Sequence, residues 1–321
     1  MTRPTPALAA QRDAYGDTLV ELIDRDERVY VLDGDLANST RADRVAVDRP
    51  ERFLQMGIAE QNLVGVAAGM ASCGLVPWLS SFACFLVNRD LDQVRISVAQ
   101  PGLPVRLVGS YSGLLTGKTG KTHQEVADLA VMRAMPGMAV VAPGDAREVR
   151  LAMLAANDWP GPVYLRLTRD PHPPLPPPTG DFELGRARLL RQGDDVAIVA
   201  TGEQSVRALG AAGQLATRGV SAAVLHVPTV KPLDEDAIAA VAAATGRVLT
   251  AEDHSVIGGL GGAVCEVLSE RCPVPVRRLG IADCFGESGD NDDLLAKYGL
   301  SADHIARAAA ALVEGTPTAR A

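Results

Sequence analysis

Short apolar runs alternate with helix-patterned stretches along most of the chain, and this alternation restricts the fold more than any other feature. Val29 to Leu32, Leu75 to Leu79, Val105 to Val108, Met138 to Val141 and Val163 to Leu167 are too short for helices. They are apolar on both sides, which is the pattern of parallel strands covered on both faces. Residues 10–27 place Leu19, Leu22 and Ile23 on one helical face, and Gln55 to Gly74 places Leu63, Val66, Ala67 and Met70 likewise. Further helices are expected through Val94 and Ile96, over His123 to Ala134, and from Pro143 to Asp145 onward. The expected fold class is α/β, with parallel sheets carrying helices on both faces.

The alternation breaks once. DPHPPLPPPTGDFELG, Asp170 to Gly185, has too much proline for either regular element and reads as a stiff connector. Strands resume at Val196 to Ala200, Ala222 to Val227, Arg247 to Thr250 and Val274 to Leu279, with alanine-rich helices between them. Two domains are expected, 1–178 and 179–321, a division that 321 residues with 47% hydrophobic content can support. A net charge of -8 argues against a polyanionic partner, so neither nucleic acid nor an anionic membrane is expected. MTRPTPALAAQRD lacks the apolar core of a signal peptide and no run reaches bilayer length, so a cytoplasmic protein is expected. Five cysteines at spacings that match no metal pattern read as reduced and structural.

Candidate chemistry concentrates in the first half. Glu60 lies in the first turn of the Gln55 to Gly74 helix; it either complements the positive helix end or serves a site. Gly65 and Gly69 each disfavour a helix by up to about 1 kcal/mol relative to alanine, so close packing, for instance of a second copy, is expected against them. Phe82 and Phe85 put two rings just after a strand in a chain that is only 4% aromatic; ordinary core is the competing reading. His123 follows a glycine loop holding Lys118 and Lys121, and at the first turn of a helix it would be placed to donate to a ligand oxygen, unless it is a cap. Arg12, Ser39 and Arg169 lie at loops flanking strands. In the second half GGLGG, Gly258 to Gly262, precedes a helix but matches no phosphate-binding spacing and reads as a tight strand-to-helix connection. His172, His226 and His304 stand alone and read as structural.

Taken together, these stretches resemble the transketolase family of thiamine diphosphate enzymes, in its pyrimidine-binding domain followed by its carboxyl-terminal domain. DGDLANST at Asp33, MGIAEQNLVGVAAGMA at Met56, SFACFLVNRDLDQVR at Ser81 and GLLTGKTGKTHQ at Gly113 carry the resemblance. AEDHSVIGGLGGAV at Ala251 and FGESGDNDDLLAKYGLSADHI at Phe285 extend it across essentially the whole chain. The resemblance implies that Glu60 hydrogen-bonds the aminopyrimidine of thiamine diphosphate and controls its tautomer, while the cofactor supplies the carbanion chemistry. It further implies that Phe82 and Phe85 pack against that ring, that Ile58 holds the cofactor bent, and that Asp35 and Leu36 line it. His123 would bond sugar oxygens near the reacting carbon, and Arg12, Ser39 and Arg169 would hold a sugar phosphate, a role suited to the planar guanidinium.

Three positions depart from the family pattern. Asn88 stands where a third aromatic residue is usual, Tyr111 where a histidine commonly meets the phosphate, and Thr119 where an aspartate reads a substrate hydroxyl. The Gly-Asp-Gly motif through which relatives bind the diphosphate and Mg2+ has no counterpart, since Asp33-Gly34-Asp35 belongs to the pyrimidine-domain motif. The resemblance therefore implies a split enzyme: a separate N-terminal diphosphate-binding subunit supplies the metal ligands, and the halves self-associate as a heterotetramer acting on a small-molecule sugar. Two alternatives stay open: the β subunit of a 2-oxoacid dehydrogenase E1 component, and a non-catalytic assembly partner. A deoxyxylulose phosphate synthase, with both halves on one chain, fits less well.

Overall fold

A computed structural model of the chain describes residues 7–177 and 181–315, which form two α/β units. The first is built on β1 (Val29–Asp33), β2 (Phe53–Gln55), β3 (Val76–Phe82), β4 (Arg106–Ser110), β5 (Ala139–Val141) and β6 (Val163–Arg166). The second uses β7 (Arg188–Arg191), β8 (Val196–Ala200), β9 (Ala222–His226), β11 (Val248–Ser255) and β12 (Val276–Ile281). The short strand β10 (Thr229–Lys231) leaves the second unit and adds to the first, completing a seven-stranded sheet in the order β10-β5-β6-β4-β3-β1-β2. The five-stranded sheet runs β12-β11-β8-β9-β7. The expected boundary at residue 178 lies outside the described residues.

The parallel core matches the expectation, and its central strands are buried along their length. Two antiparallel edges were not expected: β10 pairs with β5 and β7 with β9. β2 was also absent from the sequence reading. Leu54 pairs with Leu32 and the Met56 N–H donates to the Asp33 carbonyl, so the chain runs as strand until Gly57, at φ 73°, turns it. The central helix accordingly spans Glu60–Ser72 rather than beginning at Gln55. Its buried stripe is Leu63, Val64, Ala67, Ala68 and Ala71, with Val66 and Met70 only half-buried. Burying Leu63 alone stabilises by roughly 1.5–3 kcal/mol, enough to offset the helix cost of Gly65 and Gly69.

The helix expected over residues 123–134 is confined to Asp128–Ala134. Glu125 explains the late start: its carbonyl accepts from the Gly113 N–H at 2.7 Å, and its carboxylate accepts from the Ala127 N–H at 2.7 Å. Both bonds hold residues 123–127 in a turn that competes with helix. His123 is therefore a loop residue, not a first-turn helical one. Side-chain caps start other helices where expected, as when Asp145 accepts from the Glu148 N–H ahead of Ala146–Asn157.

Candidate functional site

In the first sheet β1, β3, β4 and β6 run parallel, and their carboxyl ends discharge their loops on one edge, where parallel α/β sheets commonly place sites. At the end of β1, Asp33 is buried and its carboxylate accepts from the Leu36 N–H at 2.6 Å and the Thr40 hydroxyl at 3.1 Å. Burial pushes that carboxyl up to about 6 against these bonds. The tight turn puts Asp35 at φ 70°, exposed, its N–H donating to Gln55 at 3.0 Å; Leu36 is half-buried beside it.

Phe82 ends β3 and Phe85 lies in the Ala83–Asn88 helix that follows. Their ring centroids are 5.9 Å apart and nearly parallel. Tyr111, just beyond β4 at φ 62°, stacks on Phe82 at 4.0 Å, and His123 meets Phe82 and Phe85 edge-on at 5.9 and 5.4 Å. His123 is half-buried with Nδ1 2.8 Å from the Thr122 hydroxyl. Arg12 donates to the Tyr111 hydroxyl at 3.1 Å and to the Ser39 carbonyl at 3.2 Å. Arg169 lies 5.5 Å from the Tyr111 ring and pairs with Asp170 at 2.7 Å. Five residues scattered through the sequence, Arg12, Ser39, Tyr111, His123 and Arg169, thus gather with the two phenylalanines in one contiguous cluster.

Glu60 begins its helix at the cluster's flank, only 3% exposed. Its carboxylate accepts from Arg89 at 3.0 and 3.1 Å, and the same guanidinium lies 4.0 Å over the Phe85 ring. The neighbouring Asp90 is buried, and neither carboxylate oxygen has a hydrogen-bond partner among the described residues. Burial, with the charge of Glu60, pushes its carboxyl up to about 8. Asn88 is exposed and donates to Glu125 at 2.7 Å; the Glu125 carboxyl is raised by its own burial.

Five expected site residues, Asp35, Leu36, Ile58, Asn88 and Thr119, are not joined to the cluster by side-chain hydrogen bonds or ring contacts among the described residues. Ile58 is 73% exposed on the turn before the helix. Thr119 turns back on its own loop, its hydroxyl donating to the Thr116 carbonyl at 2.7 Å. The GGLGG connection is closed by the protein itself: Glu252 accepts from the Leu260 and Gly261 N–H groups at 2.7 and 2.8 Å, filling the helix start where an anion would sit. Asp253 next to it accepts twice from the Leu114 N–H at 3.1 Å, so this segment docks the second unit against the first. Among the described residues no group of three or more His, Cys, Asp or Glu could hold a metal ion, and no helix is long and apolar enough to cross a membrane.

Arg89 and Asp90 were missed by the sequence reading. The available signal was an arginine four residues after Phe85 on a helical stretch, which puts its side chain on the same face.

The surroundings fit a flat nitrogen heterocycle: a carboxylate held out of water near aromatic faces, paired among the described residues with a cation whose side chain is 45% exposed. Residues 8–173 match the transketolase pyrimidine-binding domain and residues 185–305 the transketolase C-terminal domain. The chain is 46% identical over 303 residues to the 6-deoxy-6-sulfo-D-fructose transketolase subunit SqwH of Clostridium sp. (strain MSTE9), covering 94% of each. It is 38% identical over 309 residues to an apulose-4-phosphate transketolase subunit of Phocaeicola vulgatus, covering 96% of this chain and 98% of that one. A solved structure described as a split-gene transketolase, inactive beta4 tetramer, superposes with a TM-score of 0.88 at 42% identity, over 96% of this chain and 99% of that one. Sequence, fold and the clustering of Glu60, Phe82 and Phe85 at the sheet edge converge, and the chain belongs to the transketolase family.

Proposed function

We propose that this chain is the C-terminal subunit of a split, thiamine diphosphate-dependent transketolase that transfers a two-carbon ketol unit from a ketose to an aldehyde. The observation that carries the reading is the buried Glu60 carboxylate, joined through Arg89 to the face of Phe85 with Phe82 alongside, on the loop edge of the first sheet. Thiamine diphosphate, when bound, supplies the carbanion chemistry that cleaves the ketose beside its carbonyl. Glu60 accepts a hydrogen bond from the pyrimidine ring and holds the proton there, screened from water by its burial. Phe82 and Phe85 offer apolar faces to the ring, with Ile58, Asp35, Leu36 and Asn88 on the rim. Mg2+ and the diphosphate are held by a separate N-terminal subunit, and the exposure of Ile58 fits a pocket that a second chain completes. The assembly is a heterotetramer in the cytoplasm, and within the chain the domains divide at 178/179.

His123, edge-on to both phenylalanines, donates to substrate oxygens near the reacting carbon. Arg12 and Arg169, both against Tyr111, hold the anionic end of the sugar, with Ser39 and Thr119 on the loops that line the entrance. Two relatives are named for a sulfo-sugar and a sugar phosphate, and paired guanidinium groups suit either anion.

The test is reconstitution with the co-purifying diphosphate-binding subunit, thiamine diphosphate and Mg2+. Transfer from a ketose to an aldehyde is expected, without release of carbon dioxide from 2-oxoacids; the reverse result assigns the chain to the dehydrogenase E1 class. Glu60→Gln is expected to lower kcat by on the order of 10²–10⁴ while the complex still assembles. Normal turnover by that variant would refute the assignment.

A further inference from the structure

Arg89 makes two contacts at once. Its guanidinium donates to both oxygens of Glu60, at 3.0 and 3.1 Å, and lies flat against Phe85 at 4.0 Å. A planar, nitrogen-bearing group that donates to Glu60 while covering an aromatic face has the shape and the donor of a ring-protonated aminopyrimidine. We propose that Arg89 is an internal competitor for the coenzyme ring, which occupies the Glu60 and Phe85 contacts and must swing clear before thiamine diphosphate can use them. This rests on the reading of Glu60 as the residue that meets the ring.

The surroundings are built for such a movement. The Arg89 side chain is 45% exposed whereas Glu60 is 3% exposed, so the cation has water to move into and the acid does not. The backbone at Arg89 is fixed: its N–H donates to the Phe85 carbonyl at 3.0 Å, and its own carbonyl accepts from the Gln61 side chain at 3.0 Å. Displacement therefore needs only rotation of the arginine stem. A half-exposed ion pair is weak, so the competition is modest. Asp90 supports the arrangement: buried, with no hydrogen-bond partner among the described residues, it is pushed towards its neutral form, while Glu60 is the carboxylate to which Arg89 donates.

The experiment is isothermal titration of thiamine diphosphate, with Mg2+, into the complete two-subunit complex carrying wild-type, Arg89→Ala or Arg89→Met chain. Removing a competitor raises the fraction of sites open to the ring, so Kd is expected to fall by about three- to tenfold. A purely structural role for Arg89 predicts the opposite sign, because Glu60 would lose its support. Should Arg89→Ala fail to fold with Glu60 unpaired, Arg89→Lys keeps a cation but loses the flat face on Phe85, and a smaller fall in Kd is expected. Unchanged or weaker binding by folded variants overturns the proposal alone. Failure of the wild-type complex to bind the coenzyme overturns both it and the functional reading beneath it.

Discussion

Tyr111 shows how one side chain can join two parts of the site. Its ring lies on Phe82 while its hydroxyl accepts from Arg12, so the aromatic floor and the cationic rim share an anchor, held at a positive φ uncommon for tyrosine. Tyr111→Phe keeps the stacking and frees Arg12. For an anionic sugar kcat/KM is expected to fall about tenfold, the scale of one charge-assisted hydrogen bond, with little change for a neutral ketose. Steady-state kinetics on the two substrates checks this. Asp90 gives a prediction of another kind. Its folded carboxyl keeps a proton up to about 8, because burial and then the Glu60 charge oppose ionisation, whereas the unfolded chain releases it in the ordinary carboxylate range. Stability should therefore fall as pH rises through that window. Asp90→Asn, which mimics the neutral form and forfeits no hydrogen bond, should flatten the dependence and stabilise by about 1–3 kcal/mol at pH 8, measured by urea unfolding. At this scale the sequence was legible where residue type broke its context: an acid among small apolar residues, and two rings in an aromatic-poor chain. Arg89 left only its spacing from Phe85 as a signal and Asp90 left none, because a charged pair at a helix end has the same pattern whether it faces water or a carboxylate.

The elements repeat that division. Parallel strands were readable because double-sided burial demands continuous apolar runs, and β1, β3, β4, β8 and β9 fall where such runs stand. β2 and β10 are three residues each and owe their existence to a neighbour's unpaired edge, a tertiary cause with no local signature. Residues 123–127 carry a helix-compatible pattern that the Gly113–Glu125 pairing overrides. The two units are also locked by a contact that the sequence hid in lone residues. Glu148, on the Ala146–Asn157 helix, accepts from His226 of β9 at 2.7 Å, from the Gly144 N–H at 2.6 Å and from Arg188 of β7 at 3.0 Å, while His226 Nδ1 sits 2.6 Å from Ser205. Burial alone would raise the Glu148 carboxyl, but His226, that N–H and Arg188 outweigh it and hold it down at about 2. The linkage runs opposite to that of Asp90: stability from Glu148 is present above the unfolded carboxylate value and is lost as pH falls from there towards about 2. Glu148→Gln should cost about 3 kcal/mol at pH 7 by leaving Arg188 and His226 without their anion. The loss should shrink as the medium is acidified, followed by denaturant titration at pH 7 and pH 3.

For the whole molecule the informative surface is the outer face of the Glu60–Ser72 helix. Gln61, Asn62, Gly65, Gly69 and Ser72 are exposed along it, and a Cβ added at Gly65 or Gly69 would meet nothing within 4 Å. No contact within the described chain requires glycine there, and both residues sit in ordinary helix, so neither conformation nor internal packing accounts for them. A contact with another chain would account for them, since helices approach most closely where side chains are missing. Gly65→Ala should therefore leave the isolated chain folded and up to about 1 kcal/mol more stable, since the residue only weakens its helix. Gly65→Leu also has room in the single chain, yet it projects a branched side chain into the face where a second helix would lie. That variant is expected to unfold at the same temperature as wild type or higher while the reconstituted complex drops to a smaller assembly, read by size exclusion with light scattering. Because stability and association move in opposite directions, a misfolded variant cannot imitate the result. A Gly65→Leu complex that keeps its full mass would move the interface elsewhere and leave both glycines without a physical explanation. Loss of mass together with loss of coenzyme binding would couple the subunit contact at Gly65 to the Glu60 pocket on the same helix, so that assembly and activation are a single event.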